Sequence, residues 1–147
     1  MKKILAALML GLVSIASSGQ IQVQKHSSYE SRDVVRAMGF SSSATIVEEK
    51  VNGEVSYSLR TITTNQFDKT FLLLLGYNEK EVVESINALY QMALSAKGDS
   101  FIINAETTAS VVAKGTLYIK GEGYAGYASL TKKQIEKFIN FYAEGGH

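Results

Sequence analysis

ATIVEEK-VNG-EVSYSLRTIT, residues 44–63, is two alternating runs around an Asn-Gly pair, and its reading decides the class of fold. Alternation of apolar and polar residues is the period of a half-buried strand, and Asn-Gly between two such runs is the strongest short-range hairpin signal. Two registers compete. A two-residue loop of Asn52 and Gly53 sets Lys50 opposite Val55 and Glu48 opposite Tyr57, which puts charges on the face carrying Val55, Tyr57 and Leu59. A three-residue loop with Gly53 left-handed sets Val47 opposite Tyr57 and Thr45 opposite Leu59, while Lys50 meets Glu54 on the wet side. Keeping one face apolar selects the three-residue loop as the expected register.

Working outward toward the C-terminus, KTFLLLLG (69–76) is apolar on both alternate faces. That pattern predicts a strand near the middle of a sheet, covered on both sides, or one in a sheet that curls. A helix follows. Asn78 is placed as its cap with Glu81 three residues on, and Val82, Val83, Ile86, Leu89, Tyr90, Ala93 and Leu94 form its apolar stripe before Lys97 and Gly98 close it. Phe101-Ile102-Ile103 then reads as a strand, Ala109 to Lys120 as another with an irregularity at Gly115, and Tyr124 to Leu130 as a third. The last helix opens at Thr131, with Gln134 as capping-box partner, and buries Ile135, Phe138, Ile139 and Tyr142.

Upstream of the hairpin, Tyr29, Val34, Val35 and Met38 fit one helical face between a serine cap and Gly39, and a strand through Val34 and Val35 is the rival. QIQVQK (20–25) suits a short edge strand. No repeat of 20–50 residues is evident, and there is no proline and no linker-like tract. Strands grouped between two helices predict an α+β fold: a largely antiparallel sheet of about five or six strands with two main helices packed on one face.

The first residues set the destination. Lys2 and Lys3 precede an apolar run from Ile4 to Val13 and a small-residue segment, the three-part layout of a bacterial-type secretory signal peptide. Its core is shorter than the roughly 20 residues of a membrane-spanning helix. Small residues at minus 3 and minus 1 allow Ala16 with Ser18 or Ser17 with Gly19, and the second is preferred, so residues 1–19 are the signal and 20–147 a single domain. With no cysteine, neither a lipoprotein anchor nor a disulfide is available, and a periplasmic or secreted protein without a membrane anchor is expected. Loss of Lys2 and Lys3 turns 15 basic residues into 13 against 14 acidic, and no basic stripe remains to hold nucleic acid.

Motifs that carry chemistry are few. GEGYAG (121–126) has the glycine spacing of a dinucleotide loop, but a strand rather than a helix follows it, so it reads as a turn. GDSF (98–101) resembles the opening block of the Gly-Asp-Ser-Leu esterases and lipases, whose serine is the nucleophile. It departs at Phe101, Ser100 follows a helix and starts a strand, and the nearest counterpart of that family's Asp-x-x-His is Glu144-Gly145-Gly146-His147. Two histidines, His26 and His147, and no cysteine leave zinc, copper or haem without a ligand set, so no metal or cofactor is expected. Glu48, Glu49 and Glu54 could pair as catalytic carboxylates, yet the hairpin pattern places them on or beside its wet face.

What remains is aromatic. Tyr118, Tyr124 and Tyr127 fall in a glycine-punctuated strand region where small neighbours would leave rings accessible to a protein, peptide or glycan, and they are the candidate ligand-binding residues. Packing beneath the helices is the competing role. Tyr118 stands between Leu117 and Ile119 and so faces away from them, while Tyr124 and Tyr127, three apart, share a face only if Gly126 bulges. The expected function is a small exported, non-catalytic binding module of the cell envelope, with a carboxylate-dependent hydrolase or a subunit of an envelope assembly as alternatives.

Overall fold

The computed structural model describes residues 14–15, 21–22, 28–39, 42–61, 70–123 and 126–146. Two short strands, β1 (Ser14–Ile15) and β2 (Ile21–Gln22), pair antiparallel. The rest of the expected signal peptide and of the edge strand at 20–25 lies outside the described residues.

Sheet one is the meander β3 (Tyr29–Met38), β4 (Ser43–Val51), β5 (Glu54–Thr61) and β6 (Phe71–Gly76), and helix α1 (Glu79–Leu94) follows it. Sheet two repeats the plan with β7 (Ser100–Asn104), β8 (Thr107–Ala113), β9 (Thr116–Gly121) and β10 (Ala128–Thr131), and then helix α2 (Lys132–Ala143). The class is α+β, as expected. The single sheet of five or six strands is corrected to two four-stranded antiparallel sheets, and a four-strand-plus-helix plan that sequence similarity did not reveal occurs twice.

Each local departure has a physical cause. The segment expected as a helix is β3, because a bulge between Asp33 and Val35 shifts the alternation and leaves adjacent Val34 and Val35 both half-buried, which imitates helical spacing. The stretch expected as one strand from Ala109 to Lys120 is the β8–β9 hairpin, since Gly115 at φ +75° lets the chain reverse. Strand β6 is the last strand of its sheet rather than a central one, and Leu74 on it is 49% exposed.

The hairpin forms over residues 44–61, but in the other register. Asn52 at φ 51° and Gly53 at φ 87° make a two-residue turn, both central residues having the positive φ of the type I′ geometry. Val51 therefore faces Glu54, Lys50 faces Val55, Glu48 faces Tyr57 and Ile46 faces Leu59. The expected pairs Val47 with Tyr57 and Thr45 with Leu59 do not form. What overrides the apolar-face rule is that Glu48 is not left unpaired on that face, as the site geometry below shows.

One core joins both units. Ile46, Leu59 and Leu73 from sheet one and Val111, Leu117 and Ile119 from sheet two close on Val82, Ile86 and Leu89 of α1 and on Ile135 and Phe138 of α2. Both helices start as their sequences require: the Asn78 side chain accepts from the Glu81 amide, and Thr131 and Gln134 form a reciprocal capping box. Gly76 permits the tight passage into α1, because a β-carbon there would collide with the Glu81 β-carbon. Gln134 also ties the units together. Its amide nitrogen, 1% exposed as a residue, donates to the carbonyls of Ala37 (3.3 Å) and Ser42 (3.2 Å) at the β3–β4 turn.

Candidate functional site

Two places concentrate chemistry, one under the helices and one on the free face of sheet two. The first is built by the register just described. Arg32, Glu48 and Tyr57 lie side by side across β3, β4 and β5. The Arg32 guanidinium donates to both Glu48 oxygens, Nε to Oε1 at 2.8 Å and Nη2 to Oε2 at 2.9 Å, and the Tyr57 hydroxyl donates to Oε2 at 2.9 Å. This fork-to-fork pairing is the strong form of an ion pair. The Arg32 hydrogen bond holds the Glu48 carboxyl below its ordinary range against opposing desolvation, and the Tyr57 bond adds to it. Tyr57 is pushed up, first by burial and then by the carboxylate it donates to.

Tyr142 of α2 joins this cluster. Burial, and then the negative charge of Tyr57, Glu79 and Glu48, pushes its phenol up to about 12. Its hydroxyl is fully buried and finds no hydrogen-bond partner among the described residues. The ring also borders a cleft of about 180 Å³ between the antiparallel helices, lined by Val83, Ile86, Asn87, Ile139, Tyr142 and Ala143. Because the hydroxyl is enclosed, a molecule entering the cleft would meet the ring and not the polar group. The cluster holds its charges locked together, which is the arrangement of a structural network.

The carboxylates proposed as a catalytic pair are separated. Alternation sends Glu48 and Glu49 to opposite faces of β4, and Glu54 is exposed at the turn. The wet-face placement is corrected for two of them: Glu48 stands on the core-facing side with Ile46, Tyr57 and Leu59, and Glu49, on the opposite face, is only 7% exposed; its Oε1 accepts from the Tyr29 hydroxyl at 3.2 Å and its Oε2 has no partner among the described residues. Nearby, Arg60 of β5 reaches Asp33 of β3 at 2.6 Å, passing over Thr45 and Val47 of β4. That strap accounts for the burial of two residues on a face without a helix.

The second place is the outer face of sheet two. Leu117 and Ile119 point into the core at 0% exposure, so Tyr118 between them points outward, as the alternation predicted. The Tyr127 ring stacks on Tyr118 with centroids 3.8 Å apart and planes 18° from parallel. Both tyrosines are partly exposed. The third candidate, Tyr124, lies outside the described residues, so the structure unites Tyr118 with Tyr127 across β9 and the approach to β10. The pairing is cross-strand, which spacing within one strand cannot display.

Around the pair the register lays out two rows. Ser100, Ser110, Tyr118 and Ser129 stand opposite one another across β7, β8, β9 and β10, and Ile102, Thr108 and Lys120 form the next row. Ser100 Oγ lies 3.1 Å from Ser110 Oγ, so the residue of the esterase-like motif belongs to a hydroxyl row. Ile102 is 81% exposed. Sequence reasoning left these neighbours of the tyrosines unassigned, although the polar alternation of Thr108, Ser110, Tyr118 and Lys120 was the signal for a shared outer face. Among the described residues no three histidine, cysteine, aspartate or glutamate side chains gather as a metal site. No helix among them is long and apolar enough to cross a membrane.

No family model matches the chain, no curated protein matches it, and no solved structure matches its fold.

Proposed function

We propose that this chain is a small exported, non-catalytic binding module of the bacterial cell envelope that holds its ligand on the outer face of sheet two. One observation carries the reading: Tyr118 and Tyr127 stack into a fixed pair on a face that neither helix covers. Buried aromatics ordinarily pack into the core, whereas this pair keeps ring surface in contact with solvent on a pleated platform. Mutual stacking restricts the rings before any ligand arrives, and preorganised contact groups lose less entropy on binding. Export enters from the signal layout of residues 1–19. A carboxylate-dependent hydrolase draws no support from Glu48, which is spanned by Arg32 and Tyr57, or from Glu49 on the opposite face.

The test is capture from envelope extract by immobilised protein, comparing the wild type with Tyr118→Ala/Tyr127→Ala after both are shown to be folded by far-UV circular dichroism. The wild type should retain envelope material that the double variant loses. Identical capture by the two proteins would remove the face from consideration.

A further inference from the structure

We propose that the ligand of this face is a glycan, recognised by the tyrosine pair together with the hydroxyl row beside it; this rests on the reading of the outer face of sheet two as the binding surface. The chemistry of the rows selects the ligand class. Ser100, Ser110 and Ser129 place hydroxyls on three of the four strands in the row of Tyr118, Ser100 and Ser110 sharing one hydrogen bond between them, and Thr108 adds one in the next row. Each serine or threonine hydroxyl offers one donor and two acceptor lone pairs, so such a line can answer sugar hydroxyls in either hydrogen-bonding sense. Aromatic rings supply the complementary element, a flat apolar surface for the C–H face of a pyranose.

A protein partner is the less fitting occupant. The centres of protein interfaces are enriched in aromatic, methionine and arginine side chains and depleted in serine and lysine. Here serine dominates the row that holds Tyr118, and the one charge in the two rows is Lys120. Neither row contains a carboxylate among the described residues, so neutral and anionic glycans both fit. With strands about 4.8 Å apart, four of them give a platform roughly 14 Å wide, enough to seat a short oligosaccharide.

The experiment titrates the mature protein with chitohexaose and with cellohexaose, followed by amide chemical shifts, and measures co-sedimentation with purified peptidoglycan sacculi. At least one of these three probes should bind, with shifts centred on residues 108–110, 118–120 and 127–129. Tyr118→Ala/Tyr127→Ala should weaken that binding at least tenfold, and Tyr77→Ala, a 63% exposed tyrosine elsewhere, should leave it unchanged. Should the double variant fold poorly, Thr108→Glu/Lys120→Glu alters only exposed positions and should weaken binding severalfold. Absence of binding to all three probes, or binding indifferent to both double variants, overturns the glycan assignment. If the probes stay silent while a defined envelope protein binds in a Tyr118-dependent way, the assignment falls and the binding face stands. If no ligand of any kind responds to the tyrosine substitutions, both fall.

Discussion

Glu48 lies directly opposite Tyr57 and accepts its hydroxyl at 2.9 Å. This is the juxtaposition that a strictly apolar sheet face would forbid, and it stands because Arg32 on the next strand neutralises the carboxylate. The hairpin register, the ion pair and the tyrosine hydrogen bond are therefore mutually dependent.

Tyr57→Phe should lower stability by about 1.5–3 kcal/mol, the range for a hydrogen bond to a charged group, read as a shift in the urea unfolding midpoint. In the Glu48→Gln background the same substitution should cost less, because the acceptor is then neutral. Equal losses in the two backgrounds would mean that the charge of the acceptor adds nothing to the bond.

Acid should weaken this cluster. The folded state holds Glu48 below its ordinary value, chiefly through the Arg32 hydrogen bond, so its stabilisation is present above the unfolded carboxylate pKa of about 4.3 and is lost as pH falls through the folded value. Glu48→Gln should flatten the stability profile in that acid window. An unchanged slope would place the acid sensitivity elsewhere.

Alkali acts on Tyr142. Its phenol is raised to about 12 in the folded state because burial penalises the phenolate, so the fold is unaffected below the unfolded value of about 10 and loses stability as pH rises from there through about 12. Tyr142→Phe should therefore reduce alkaline unfolding over that window. At pH 7 it should leave stability unchanged or higher, since it removes a buried hydroxyl that has no partner among the described residues. A loss above 1 kcal/mol at neutral pH would show that the hydroxyl makes a stabilising bond.

Gln134→Ala should cost roughly 1–2 kcal/mol, combining part of a helix cap with the loss of its bonds to the buried Ala37 carbonyl and to the Ser42 carbonyl, which keeps the Gly39 amide as a donor. Because those carbonyls belong to the β3–β4 turn, the variant should also raise hydrogen exchange in residues 42–44 of sheet one. Protection unchanged there would show that the two units do not depend on this clamp.

Intact-mass analysis of protein from the envelope fraction should show a chain beginning at Gln20 with no added acyl mass, as the signal layout and the absence of cysteine require. A full-length cytoplasmic species would rule export out.

The elements whose code is local were legible in the sequence. Asn78 with Glu81 and Thr131 with Gln134 announced the helix starts, because a cap is an interaction over three residues, and Asn52-Gly53 announced its turn because only residues tolerant of positive φ can make it. Alternation likewise turned Tyr118 away from Leu117 and Ile119. Tertiary structure alone decided what depends on neighbours distant in the chain. A bulge in β3 made Val34 and Val35 look helical, and Arg32, sixteen residues before Glu48, made a charged register tolerable. The stack of Tyr118 on Tyr127 and the row joining Ser100, Ser110 and Ser129 arise from hydrogen-bonded pairing among four strands, since a periodicity names the face on which a side chain stands and long-range pairing names the side chain beside it.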